Sequence, residues 1–110
     1  MAFAYVSLAT GQLPAAKGTL YTSAGETAVK QISLVATDTA AHTVNIYFKE
    51  AAGTSKRIIP ANVPMDGDDP ATAAQIDCLE NTMEMSAGDT IEGDCDTASV
   101  IDYVITGATR

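Results

Sequence analysis

Asp66-Gly67-Asp68-Asp69 is a run of carboxylates that invites a calcium reading. A calcium loop of the EF-hand type needs oxygen ligands at alternating positions, a glycine at the sixth place and a glutamate at the twelfth. Counting from Asp66, Gly67 is second, Pro70 is fifth and Asp77 is twelfth, so the pattern fails. The segment reads as a solvated acidic loop, with an irregular cation site as the lesser alternative. His42 is the one histidine. Set between Ala41 and Thr43 in a turn-like stretch, it reads as an exposed loop or edge histidine. Any nucleophile–histidine–acid arrangement would have to use it, yet no G-x-S-x-G elbow accompanies it. A zinc site would have to combine His42, Cys78 and Cys95, which carry no local pairing motif.

The two cysteines fit a structural role better. Cys78 follows Asp77, and Cys95 lies between Asp94 and Asp96. Nearby carboxylates raise a thiol pKa and oppose nucleophilic use. Two cysteines also make no disulfide framework, and both read as small buried hydrophobes. Neither G-x-x-x-x-G-K-[ST] nor G-x-G-x-x-G occurs, so no phosphate-cradling loop is expected. Eleven acids crowd residues 66–110, but a sugar site also needs stacking aromatics. That half has only Tyr103, which its strand parity turns inward. The expectation is a protein with no enzyme activity and no cofactor.

The elements that hold these residues are read from period-two alternation. Val44, Ile46 and Phe48 alternate with Asn45, Tyr47 and Lys49. Ile32, Leu34 and Ala36 alternate with Ser33 and Thr37, while Val35 implies partial cover on the other face. Ile101, Tyr103 and Ile105 alternate with Asp102 and Thr106, and Leu79, Met83 and Met85 share parity. Strands are expected at 19–22, 27–37, 43–50, 55–61, 79–85, 90–95 and 99–106. Ala52-Gly53-Thr54 reads as a hairpin turn, and residues 37–41 read as another connection. Ser23-Ala24-Gly25-Glu26-Thr27 is echoed by Ser86-Ala87-Gly88-Asp89-Thr90. Both read as tight turns in which glycine supplies a positive φ. Residues 65–77 break the rhythm and read as the longest irregular segment, with room for a helical turn after Pro70.

The predicted fold is therefore all-β: an antiparallel β-sandwich or jelly roll of about seven to eight strands. Residues 18–110 form the sandwich domain, and residues 1–17 are an N-terminal arm or its first strand. If an arm, it offers Phe3, Tyr5, Val6 and Leu8 to a neighbour's sheet edge. Deleting residues 1–14 would then leave the domain folded and weaken assembly.

At 110 residues the chain can bury one modest core. Apolar residues make up 46%, too many for a disordered chain, and with 5% aromatics the core must be aliphatic. No stretch approaches the roughly 20 apolar residues that span a bilayer, and the start lacks the basic and apolar regions of a signal peptide. Synthesis and folding in a cytoplasm are expected, with no membrane partner. The net charge is −8. Residues 1–65 hold five bases and three acids, while residues 66–110 hold one base and eleven acids. Such acidity repels phosphate backbones and argues against nucleic-acid binding.

Several segments together resemble a loose group of small virion proteins of tailed bacteriophages. They are Leu20-Tyr21-Thr22, Ala24-Gly25-Glu26-Thr27, residues 29–37 of the form Val-x-x-Ile-x-Leu-x-x-Thr, and Val44-Asn45-Ile46-Tyr47. Ser86-Ala87-Gly88-Asp89-Thr90-Ile91 and Tyr103-Val104-Ile105-Thr106-Gly107 continue the likeness, which spans roughly residues 8–107. The acidic segment 65–77 departs from it. The resemblance implies a β-sandwich virion component, most simply a capsid decoration (cement) protein that stabilises the assembled head. A tail, baseplate or fibre module is the alternative, and a ligand- or ion-binding β-sandwich is a further one. Implied partners are the major capsid protein and other copies of the chain. The implied location is the virion, on the head surface rather than the tail. The candidate interface is Phe3, Tyr5, Val6 and Leu8 with Asp66, Asp68 and Asp69, the acidic half facing outward and the less acidic half facing the shell.

Overall fold

The computed structural model describes residues 4–67, 75–79 and 81–109. Among them there is no helix, hence none to cross a membrane. The strands are β1 (Ala4–Gln12), β2 (Gly18–Thr22), β3 (Thr27–Ala36), β4 (Ala41–Lys49) and β5 (Ser55–Arg57). They continue with β6 (Val63–Asp66), β7 (Gln75–Asp77), β8 (Met83–Met85), β9 (Thr90–Cys95) and β10 (Ile101–Thr109). They form two antiparallel sheets. Sheet A runs β1-β10-β3, with β7 and β8 both on the far side of β3. Sheet B runs β2-β9-β4, with β5 and β6 both on the far side of β4. Each sheet thus has four strand positions, the fourth filled in two pieces. The nested order across the two sheets is that of a jelly roll.

The split fourth positions explain where the expected strands differ. Residues 55–61 do not continue as one strand. β5 covers Tyr47–Lys49 of β4; Pro60 offers no N–H, and Asn62 turns the chain at φ 55°. The chain then returns to Ala41–Val44 as β6. The outward side chain of Asn45 fills the gap between the two pieces. Its Oδ1 accepts from the Asn62 N–H (2.9 Å) and Arg57 Nη1 (2.6 Å). Its Nδ2 donates to Asn62 Oδ1 (3.1 Å) and Asp94 Oδ1 (2.8 Å). On the other sheet, the expected strand 79–85 shrinks to β8, while β7 forms inside the segment expected to be irregular. Met65 and Asp66 likewise close β6. Strands of three or four residues are too short to display a period of two. The helical turn expected after Pro70 falls outside the described residues.

The aliphatic alternation packs between the sheets. Val29, Ile32, Leu34, Val44, Ile46, Ile91, Ile101 and Ile105 are fully buried. Tyr103 also points inward, with its hydroxyl donating to Leu20 O at 3.4 Å. Gly11, opposite Tyr103 on β1, leaves space for that ring: a Cβ there would come within 2.9 Å of the phenol oxygen. Residues 4–12 form β1 and pair with β10, and Leu13 just beyond is 1% exposed. Removing residues 1–14 would therefore take away an edge strand and a core side chain.

Two expectations about turns and charge change. The echoed segments are tight turns that carry the chain from one sheet to the other: β2 lies in sheet B and β3 in sheet A, and β8 and β9 exchange sheets in the opposite sense. They lie side by side, joined by Ser23 N–H to Asp89 O (2.9 Å) and Gly88 N–H to Ser23 O (2.8 Å). Of their two glycines only Gly88 has a positive φ, 89°. The acidic and less acidic halves of the chain form no separate faces, because each sheet interleaves strands from both.

Candidate functional site

The strand registers place three rows of side chains across the outer face of sheet A. One row is Gln12–Asp102–Val35–Gln75, the next Thr10–Val104–Ser33–Asp77, and the third Ser7–Thr106–Gln31. Val104 is 40% exposed and Val35 is 39% exposed, while Tyr103, Ile105 and Leu34 beside them point inward and are buried. Val35 is thus open to solvent rather than partly covered. The rows contain two charges, each engaged by a glutamine amide: Gln12 Nε2 to Asp102 Oδ1 (3.0 Å) and Gln31 Nε2 to Asp77 Oδ2 (3.4 Å). Lys30 lies beside the third row, where Val6 and Ser7 meet Gln31 and Gly107. The face is continuous with β1, an edge strand of nine residues with no charged side chain and no proline. Edge strands are usually guarded by charges or proline. Here the one irregularity is a bulge between Ser7 and Ala9.

The outer face of sheet B is the opposite in character. Lys17 (Nζ 4.9 Å from the centroid) and Arg57 (Cζ 5.1 Å) both lie over the Tyr47 ring. Asn45 and Tyr47 both bond Asp94, and Ser55 Oγ bonds Glu92. This is a cross-linked, charged surface of mixed sign.

At the β6 end of sheet B lies a cluster that, among the described residues, groups a histidine, a cysteine and a carboxylate as possible metal ligands. His42 has the inward parity of Val44 and Ile46 on β4 and is 7% exposed, so it is not the exposed loop or edge histidine expected. Its Nε2 lies 2.9 Å from Asp38 Oδ1, and its Nδ1 lies 2.8 Å from Asp96 Oδ1. Ionised carboxylates only accept hydrogen bonds, so this geometry favours the cationic ring with a proton on each nitrogen. Its pKa is raised above the ordinary 6.5 by the bond to Asp38, then by that to Asp96, with burial opposing. Burial also works against the charged form of Asp96, but bonds from His42, Cys95 and the Thr43 backbone outweigh it and lower its pKa. Cys95 Sγ, 1% exposed, donates to Asp96 Oδ1 at 3.5 Å. Burial, first, and then Asp96 raise its pKa. A thiol held neutral in this way is a poor nucleophile.

The fold brings His42 and Cys95 together and leaves Cys78 elsewhere. Cys78 is buried in sheet A, its N–H on Ile32 O, with its thiol pushed up to about 12 by burial and by Asp77. Asp38 and Asp96 were not singled out as site residues from the sequence. Their only signals were Asp38 four residues before His42 and Asp96 next to Cys95. Of the expected interface residues, Val6 is 45% exposed on β1, Leu8 packs partly against the core, and Tyr5 pairs with Ala108. Asp66 ends β6, opposite Ala41. Phe3, Asp68 and Asp69 fall outside the described residues. A depression of about 470 Å³ lies beside the two sheet corners, lined by Glu26, Phe48, Glu50, Glu84, Met85 and Asp89 among others. The Asp89 carboxylate accepts from the N–H of Ser86 in its own corner and from that of Ala51, tying this corner to the β4–β5 connection. No protein-family model matches the chain, and no curated protein matches it in sequence.

Proposed function

We propose that this chain is a structural protein of a bacteriophage virion, a capsid decoration protein that binds the assembled head and stabilises it. The observation that carries this reading is the set of three rows on the outer face of sheet A, which hold two charges and run into the uncharged edge strand β1. The centres of protein interfaces are depleted in charge, and in a chain of net charge −8 such a face needs a reason. The resemblance of segments 20–37, 44–47, 86–91 and 103–107 to tailed-phage virion proteins supports the same reading. The partner is the major capsid protein, met by sheet A and by strand addition at β1. The charged outer face of sheet B points away from the shell and keeps particles dispersed. The role needs no active site.

The reading is tested on particles. Mass spectrometry of purified virions should find hundreds of copies, and the purified protein should add back to emptied shells. Val104→Lys and Thr10→Lys place a charge at the middle of the face. As outward changes they should alter stability by about 0.5 kcal/mol at most and weaken shell binding about tenfold or more, roughly 1.4 kcal/mol. Copy numbers in single digits would place the protein in the tail instead. Full shell binding by both variants would remove sheet A from the interface.

A further inference from the structure

We propose that His42, Cys95 and Asp96 form a binding site for a zinc-like divalent metal ion, with Asp38 as the carboxylate that orients the histidine. The three candidate ligand atoms lie within 4.8 Å of one another. Two stretches of chain deliver them: His42 comes from β4, and Cys95 and Asp96 are the last residue of β9 and the one after it. The Asp96 N–H donates to Thr43 O at 3.1 Å, which pins that carboxylate against β4.

The donor set selects the metal. Nitrogen, sulfur and one carboxylate oxygen suit zinc or cobalt, whereas calcium and magnesium take oxygen ligands. Zinc bonds of about 2.0–2.3 Å place tetrahedral ligand atoms roughly 3.3–3.8 Å apart. The Cys95 Sγ to Asp96 Oδ1 separation is 3.5 Å and already fits. The His42 Nδ1 to Asp96 Oδ1 separation is 2.8 Å and must open by about half an ångström. That opening replaces the bridging proton with the metal. Binding therefore releases the Nδ1 proton and the Cys95 thiol proton to solvent.

Asp38 is the independent observation. It occupies His42 Nε2, the nitrogen that would face away from the metal, at 2.9 Å and 3.0 Å. Metal-bound histidines commonly place a carboxylate there; it fixes the ring orientation and strengthens the ligand. Asp96 is 44% exposed and gives the ion a route in. Three protein ligands leave the fourth position to water. Without metal the cluster is held by its own hydrogen bonds, so the metal-free protein is folded and the site can be titrated directly.

The test uses chelator-treated full-length protein titrated with Co2+ as the spectroscopic probe, then with Zn2+. The expected result is one equivalent bound, a thiolate-to-cobalt charge-transfer band, and displacement of Co2+ by Zn2+. Cys95→Ser should abolish the band, and Asp96→Asn should weaken binding. Cys78→Ser should change nothing. Asp38→Asn should keep the band and weaken binding about ten- to a hundredfold. Circular dichroism checks each fold; if Cys95→Ser does not fold, His42→Gln and Asp96→Asn decide. Failure to bind a stoichiometric ion, or a band that survives Cys95→Ser, would overturn the assignment.

Discussion

Asn45→Ala tests how the split strand of sheet B is held. The wild-type amide makes four hydrogen bonds, two with the charged partners Arg57 and Asp94 and two with Asn62. Bonds to charged groups contribute about 1.5–3 kcal/mol each and neutral ones about 0.5–1.5. The lower ends together give about 4 kcal/mol. Arg57 and Asn62 are exposed, so water replaces part of what they lose. About 2–3 kcal/mol should remain, with no change in the denaturant slope. For a domain near 100 residues that is a fall in melting temperature of roughly 8–15 °C. Urea unfolding followed by circular dichroism measures it. Asn45→Asp is the informative companion. It keeps the acceptor for Arg57 and for the Asn62 N–H but sets a second carboxylate against Asp94. It should be about as unstable at neutral pH and recover in mild acid, where one carboxylate of the pair takes a proton. If Asn45→Ala stays within about 0.5 kcal/mol of the wild type, the β5–β6 break is held by backbone pairing alone and the reasoning is wrong.

The His42 cluster gives a pH profile in chelator. The raised folded-state pKa of His42 means its contribution is complete below the ordinary 6.5 and is lost as pH climbs through the raised value. The lowered pKa of Asp96 means its contribution is present above 3.8 and is lost as pH falls through the depressed value. Stability should hold between roughly pH 4 and 6.5 and decline on either side, and His42→Gln should remove the alkaline decline; an unchanged alkaline arm would count against the cluster. Cys78 and Cys95 should resist a thiol reagent in the native protein at pH 8 and both react in denaturant, because burial holds both thiols protonated; rapid labelling of folded protein would contradict this. Deleting residues 1–14 removes β1 and the buried Leu13, worth about 1.5–3 kcal/mol for that side chain alone. The truncated chain should lose its cooperative melt, and a melt like the intact protein's would show that β1 is dispensable.

The interface expected from the sequence shares strand β1 with the candidate docking face but none of the residues in its three rows. Thr10, Gln12, Ser33, Val104 and Thr106 are spaced as one face of alternating strands. Which strands lie side by side is a matter of register, and β1 lies against β10, about ninety residues away in the chain. The charge imbalance between the two halves suggested two faces. It dissolved because a jelly roll lays early and late strands alternately in both sheets.

The sequence by itself determined the fold class, the aliphatic core and the inward direction of Tyr103. Those follow from side-chain alternation, a local property of an extended backbone. It also placed Ala52-Gly53-Thr54 correctly at the β4–β5 connection, a local choice as well. Only the tertiary structure decided that His42 is buried between Asp38 and Asp96 with Cys95 beside them. The reason is physical: the cluster forms where β4 and β9 pair, and cross-strand neighbours separated by more than fifty residues leave no periodic mark in the chain. The same holds for Asn45, whose outward parity reads as a solvent-facing polar residue until the broken strand beside it supplies a backbone to satisfy.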